Sequence, residues 1–223
     1  TDVGQDQMWS AQYYPVEYAR QFLTSGSLGT MGFGLPTAVG VSLANEGKRV
    51  VCISGDGSIL MNIQELAVVK KLNLPVKIFV LNNQGYATIV ATQTNVFKEH
   101  FVGCNSDSNL TLGDIKAVAE AYGIKTYSIN RNDEIDAVVG EALAYDGPTL
   151  CDVKVSIRQA IQPRQASFKN EKGQMQSRPL EDMKPFLEKE TIKLIINKLN
   201  NPIGGGKILT LSELHCRPLG MCA

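Results

Sequence analysis

The sequence predicts an α/β fold, a doubly wound parallel sheet flanked by helices with a C-terminal arm. Three observations carry that expectation. Short runs rich in β-branched residues alternate with helix-patterned stretches, as strands and crossover helices do in parallel sheets. The runs are apolar almost throughout, which suits strands covered on both faces. The alternation stops near residue 157, where a polar, proline-containing stretch begins.

Leu35 to Ala44 is a helix of small residues with Pro36 in its first turn, where a missing N–H does no harm. Residues 50–54 (Val-Val-Cys-Ile-Ser) form the first strand. Asn62 is placed to N-cap the next helix, with Glu65 as its capping-box partner and Leu66, Val69 and Leu72 as the apolar stripe. Pro75 ends that helix, and residues 76–81 form the second strand. Residues 114–122 read as a helix closed by Gly123. A strand at 124–129 and a helix at 133–145 come next, the helix with Ile135, Val138, Val139, Ala142 and Leu143 on one face. Residues 149–155 are the last strand. Residues 158–185 hold Pro163, Pro179 and Pro185 and read as an arm, leading to an amphipathic helix at 186–200. From Pro202, Gly204-Gly205-Gly206 lead to a tail, as flexible linkers do. The expected division is a binding domain at 1–157, an arm with its helix at 158–201, and a flexible tail at 202–223.

Composition narrows the function. The chain has 223 residues, 43% of them hydrophobic, which is ample for a sizeable core. Twenty-two basic residues balance 22 acidic ones, so nucleic acid is not the expected partner. No apolar run approaches the ~20 residues that span a bilayer, so no membrane partner is expected either. Five cysteines, an odd number without a CxxC pair, do not form a disulfide framework, and the expected location is the reducing cytoplasm. Thr1 is not a methionine, which leaves a longer chain open.

The chemistry gathers at two strand ends. The first strand runs directly into Gly55-Asp56-Gly57-Ser58, and the second into Asn82-Asn83-Gln84-Gly85. The 24 residues between Gly57 and Asn82 suffice for one crossover helix, so both clusters emerge at the carboxyl edge of neighbouring strands. The glycines let backbone N–H groups approach an anion, and Ser58 adds a hydroxyl. An anion beside Asp56 would be repelled unless a divalent cation stood between them. Asp56, an asparagine amide and a loop carbonyl near Gly85 are hard oxygen ligands that leave room for phosphate oxygens and water, the pattern for Mg²⁺. Each piece alone is a common surface turn; the pair, one crossover apart, points to a Mg²⁺–diphosphate site. Elsewhere, His100 and His215 lack triad or zinc spacing, and Cys52 and Cys151 lie in strands as small core residues.

In these residues the chain resembles the thiamine diphosphate-dependent enzymes. Gly-Asp-Gly, 24 residues and Asn-Asn is their signature. Gly4-Gln5-Asp6-Gln7-Met8-Trp9-Ser10-Ala11-Gln12 resembles a stretch of acetolactate synthase catalytic subunits, and Thr24 to Pro36 resembles the next stretch of those subunits. Pro179 to Leu187 is similar to that family's C-terminal arm. The resemblance implies thiamine diphosphate and Mg²⁺ as cofactors. It implies Asp56, Asn83 and the carbonyl of Gly85 as metal ligands, and Gln5, Gly57 and Ser58 as diphosphate contacts. Met31 corresponds to the apolar residue beneath the thiazolium that holds the cofactor in its catalytic V shape. Gly29, Gly85 and Tyr86 correspond to positions lining the rings. Asp6 stands where many members have histidine, and it is left outside the expected site because a carboxylate opposes a bound anion.

The implied activity is decarboxylation of a 2-oxo acid such as pyruvate, with transfer of the acyl carbanion to a carbonyl acceptor. The stretch Gln84 to Gln93 departs from the biosynthetic enzymes and is more similar to relatives in sugar modification, which opens a keto-sugar as the acceptor. The family's pyrimidine-binding domain, with its catalytic glutamate, has no counterpart here. The expected alternatives are therefore a C-terminal portion of a longer enzyme, or a non-catalytic binding subunit that needs a pyrimidine-binding partner chain. A homo-oligomer, dimer or tetramer, is expected, with Gly29 to Leu35 and the loops after residues 57 and 85 at the interface.

Overall fold

The computed structural model describes residues 1–18 and 21–200. It divides into two compact units, Thr1–Ala160 and a second that begins at Ile161. The first unit contains, in chain order, α1 (Gln5–Tyr13), α2 (Gly34–Ala44), β1 (Val50–Gly55), α3 (Asp56–Ile59), α4 (Leu66–Lys71) and β2 (Val76–Asn82). It continues with α5 (Ala87–Phe97), α6 (Ile115–Ala121), β3 (Lys125–Ile129), α7 (Ile135–Ala144) and β4 (Thr149–Lys154). The four strands form one parallel sheet in the order β1-β2-β4-β3. The α/β class read from the sequence is the class observed.

Register explains the core. Cys52 pairs with Ile78 and Ile78 with Leu150, so these side chains share one face of the sheet. Leu35 and Ala38 of α2, Leu66 and Val69 of α4, and Ile115 and Ala119 of α6 pack into the same buried cluster. Each fully buried aliphatic side chain contributes roughly 1.5–3 kcal/mol. Lys77 is also buried, and its Nζ donates to the carbonyls of Tyr145 and Gly147, both at 2.6 Å, which ties the turn before β4 to β2.

The opposite face departs from the expectation of strands covered on both sides. Val51 is 49% exposed, and Ile53, Phe79 and Val153 line an apolar groove of about 880 Å³ walled by α1, α2 and α7. Within this unit, α7 packs on β3 and β4 and leaves the β1 side of that face open.

Three local departures have physical reasons. Asn62 does not cap a helix. α3 starts directly at Asp56, Leu60–Glu65 continue as a 3₁₀ helix, and Asn62 at φ −138° turns its amide to the Gly32 carbonyl at 2.8 Å. α1 has no apolar stripe for periodicity to find, because the residues it buries are Gln5 and Asp6. α5 is rich in Thr, Val and Ile, which read as strand formers. By contrast, Asp114 caps α6 by accepting from the N–H groups of Lys116 and Ala117, and Gly123 adopts φ +73° after its end.

In the second unit, β5 (Ser167–Lys169) and β6 (Met175–Ser177) pair as an antiparallel hairpin, and α8 spans Lys189–Asn200. The Arg178 guanidinium lies 4.4 Å from the Phe186 ring centroid and 5.5 Å from that of Phe168, and pairs with Asp182. The expected tail at 202–223, with His215, Cys216 and Cys222, lies outside the described residues. Among the described residues no helix is long and apolar enough to cross a membrane.

Candidate cofactor site

β1 and β2 are neighbours, and Gly55 pairs with Leu81 at their carboxyl ends. The chain therefore leaves β1 into α3 and β2 into the loop at 83–86 along the same sheet edge, where open α/β sheets bind ligands. A small cavity of about 50 Å³ lies there, bounded by Asp56, Gly57 and Ser58 on one side and by Asn83, Gly85 and Tyr86 on the other. Gln5 and Asp6 of α1 and Met31 also line it.

Asp56 opens α3 and is 4% exposed. Its Oδ1 accepts from the Gly57 N–H at 3.0 Å and its Oδ2 from the Gln84 N–H at 2.6 Å, so the carboxylate links the two strand ends. Burial pushes its pKa up, and the backbone N–H groups of Gln84, Gly57 and Gly85 work against that. A cation at its free lone pairs would favour the ionised form further.

The two asparagines do different work. Asn82 donates to Asp152 Oδ1 at 2.8 Å and accepts from the Gln84 side chain at 2.6 Å, so its amide is spent on the fold. Asn83 donates to Gln5 Oε1 at a long 3.5 Å, and its Oδ1 is buried with no partner. A buried carbonyl oxygen without a donor is costly, and a hard cation removes that cost. Among the described residues no three His, Cys, Asp or Glu side chains cluster as a metal site. One carboxylate, one amide oxygen and a backbone carbonyl suit Mg²⁺ and leave sites for phosphate.

Two glycines are dictated by close approach. A Cβ on Gly85 would lie 2.5 Å from the Cys104 carbonyl oxygen and 2.6 Å from Ile157 Cδ1, and one on Gly57 would run into the Tyr86 ring. Packing alone therefore requires glycine at both positions, and both line the cavity. Gln5 is anchored by its Nε2 donating to the Gln159 carbonyl at 2.8 Å. Met31 is half-buried beside a clamped turn: the N–H groups of Gly32 and Gly34 donate to the two carboxylate oxygens of Asp2, at 2.8 and 3.0 Å.

Eight of the nine residues named from sequence therefore line one cavity: Gln5, Met31, Asp56, Gly57, Ser58, Asn83, Gly85 and Tyr86. Gly29 does not; it sits in the preceding loop with its N–H donating to the Ser25 carbonyl at 3.2 Å. The Ser58 hydroxyl donates to the Val3 carbonyl at 2.7 Å, so its proton points away from a ligand in this arrangement. Two acids lie outside the sequence expectation. Asp2 holds the turn that carries Met31, and no local pattern signals it. Asp6, left out on grounds of charge, is 2% exposed and lines the cavity; its place directly after Gln5, in the first turn of α1, was the available signal.

The fold is that of an α/β domain with a candidate ligand cavity at the carboxyl ends of neighbouring parallel strands. Residues 2–153 match the family "Thiamine pyrophosphate enzyme, C-terminal TPP binding domain". The chain belongs to this family, whose cofactor is thiamine diphosphate. It is 42% identical over 167 residues to acetolactate synthase 2, chloroplastic, of Zea mays, covering 73% of this chain and 26% of that protein. It is 39% identical over 163 residues to the acetolactate synthase isozyme 1 large subunit of Escherichia coli, covering 73% and 28%. Identity to the isozyme 2 large subunit of the same organism is 43% over 164 residues, covering 73% and 29%. The chain thus spans under a third of the length of these relatives.

Proposed function

We propose that this chain is the diphosphate- and metal-binding portion of an acetolactate synthase-like carboligase. The enzyme would decarboxylate a 2-oxo acid, pyruvate in the first instance, and transfer the resulting unit to a carbonyl acceptor. The observation that carries the reading is the orphaned Oδ1 of Asn83, a residue that lines the same cavity as Asp56 and Gly85. Asp56, Asn83 and the Gly85 carbonyl would hold Mg²⁺. Gln5 and the chain at Gly57 would receive the diphosphate, with Ser58 beside it, and Met31 and Tyr86 would support the rings. When bound, thiamine diphosphate supplies the carbon nucleophile and the electron sink of the decarboxylation. The protein's part is to hold the cation that offsets the diphosphate charge, fix the cofactor's position and keep water from the reacting carbon.

The remaining functions fall to other chain segments or copies. A pyrimidine-binding domain, on the same or a partner chain, would carry the acid that activates the ring. The loop ahead of Met31 exposes Leu28 at 89%, which suits burial against another subunit in a homodimer or tetramer. In this reading residues 1–157 form the site, 158–201 the arm and 202–223 a dispensable tail. Cys52, Cys104 and Cys151 are free and buried, as suits a reducing compartment such as the cytoplasm.

The test is titration calorimetry of thiamine diphosphate into the protein with Mg²⁺ and with a chelator. Binding should weaken by ~100-fold or more, or about 2.7 kcal/mol, when Mg²⁺ is removed. Equal binding in both buffers would discard the metal-bridged site. CO₂ release from pyruvate should appear on adding a pyrimidine-binding domain; robust release by the isolated chain would discard the proposed division of labour.

A further inference from the structure

Asp6 is a buried acid in this site that the proposed ligand set leaves unused. It sits beside Gln5 in the first turn of α1, is 2% exposed, and lines the cavity with Asp56, Gly57 and Asn83. Its Oδ2 is fully buried with no hydrogen-bond partner. The neighbouring buried acids have partners at both carboxylate oxygens. Asp2 accepts from the N–H groups of Val3, Gly32 and Gly34, and Asp56 accepts from those of Gly57 and Gln84. An ionised carboxylate with a bare buried oxygen is a costly group, and its cost grows when an anionic ligand enters the same cavity. A proton removes both costs, because it neutralises the group and turns a bare acceptor into a donor.

We propose that Asp6 belongs to the cofactor site as an un-ionised carboxylic acid, a hydrogen-bond donor offered to the phosphate groups rather than a charge set against them. This rests on the thiamine diphosphate reading of the site. The charged and titratable groups around Asp6 are Asp2 and the Thr1 ammonium ahead of α1, Cys52 on β1, and Asp56 and Tyr86 across the cavity. Burial raises the Asp6 pKa to about 7, with a further push from Asp2, against the opposing pull of the Asp6 and Gln7 backbone N–H groups and, last, of the ammonium. The state that binds phosphate holds the proton, so below pH 7 the free protein is ready to bind. Above pH 7 it must first take a proton from the solvent, and affinity falls.

The experiment is calorimetry of thiamine diphosphate with saturating Mg²⁺ on the full chain, at pH 6 and pH 8, in buffers of different ionisation enthalpy. The wild type is compared with Asp6→Asn, which keeps a donor and cannot ionise. From pH 6 to pH 8 the wild type should lose about tenfold more affinity than the variant, and at pH 8 it should take up close to one more proton per cofactor bound. Parallel pH profiles with equal proton uptake would overturn the proposal, as would a variant ~tenfold or more weaker at pH 6, where a needed negative charge would be the explanation. The wild-type proton count at pH 8 decides the matter if the variant does not fold: about one proton taken up supports the proposal, and none overturns it. No cofactor binding by the wild type at either pH would sink the thiamine diphosphate reading itself. Binding with parallel profiles sinks the Asp6 proposal alone.

Discussion

The carboxyl ends of β1 and β2 lie side by side, yet they are finished differently. At the end of β1 the chain enters α3 at once, Asp56 to Ile59 are all buried, and the Asp56 carboxylate and Ser58 hydroxyl each have backbone partners. At the end of β2 the chain opens into a loop, with Gln84 at φ +59° and the Asn83 oxygen left without a donor. The first end is a finished scaffold that happens to present a carboxylate. The second carries an unmet bond. A site built this way keeps its shape without ligand, because one wall is satisfied, and gains on binding, because the other is not. The same contrast divides the asparagines, with Asn82 locked to Asp152 and Asn83 held back.

The sharpest way to break this comparison is Asp56→Ala. It removes the sole carboxylate proposed as a metal ligand and the link between the strand ends. Mg²⁺-dependent thiamine diphosphate binding should drop by more than ~100-fold, below detection by calorimetry. The apo protein should lose ~1–3 kcal/mol on denaturant unfolding, since the Gly57 N–H loses its acceptor and the Gln84 N–H keeps only Asn82 Oδ1 at 3.2 Å. Wild-type affinity in this variant would remove Asp56 from the site.

Next in size is the asparagine pair. Asn83→Ala deletes an oxygen that nothing satisfies, so thermal stability should stay level or rise while affinity falls by ~10- to 100-fold. Asn82→Ala should do the reverse at the level of stability, because Asp152 loses a buried donor on β4. If Asn83→Ala were the less stable of the two, the division between locked and poised asparagine would be wrong.

The features legible in the sequence were local. Gly-Asp-Gly and Asn-Asn are demands of backbone approach and ligand chemistry at strand ends, and the strands announce themselves by apolar runs. The features that escaped it depended on docking. Asp6 becomes buried because α1 packs its polar first turn onto the end of β1, and no periodicity records that. Asn62 satisfies a capping pattern, but tertiary contact with Gly32 claims its amide. The open face of the sheet was equally hidden, since Val51, Ile53 and Phe79 look the same whether or not a helix covers them. Asp2 lies 30 residues from the turn it clamps. Each miss turns on non-local packing that no local pattern records.

The smallest expected effect tests the scaffold wall itself. Ser58 lines the cavity, and the family resemblance implies that it touches the diphosphate, yet its hydroxyl proton is engaged by the Val3 carbonyl at 2.7 Å. That bond ties the first turn of α3 to the segment ahead of α1, the helix that carries Gln5 and Asp6. Ser58→Ala leaves the Val3 oxygen without this donor, a cost of ~1 kcal/mol in unfolding free energy. Backbone N–H groups of the first turn of α3 would then be the donors from this wall, and the substitution leaves them in place. Thiamine diphosphate affinity should therefore stay within about threefold, or ~0.7 kcal/mol, of wild type. A loss beyond about tenfold without a fall in stability would mean that the hydroxyl leaves Val3 and turns to phosphate when the cofactor arrives. In that case the wall at β1 would also be poised, and the contrast between the two strand ends would be one of degree.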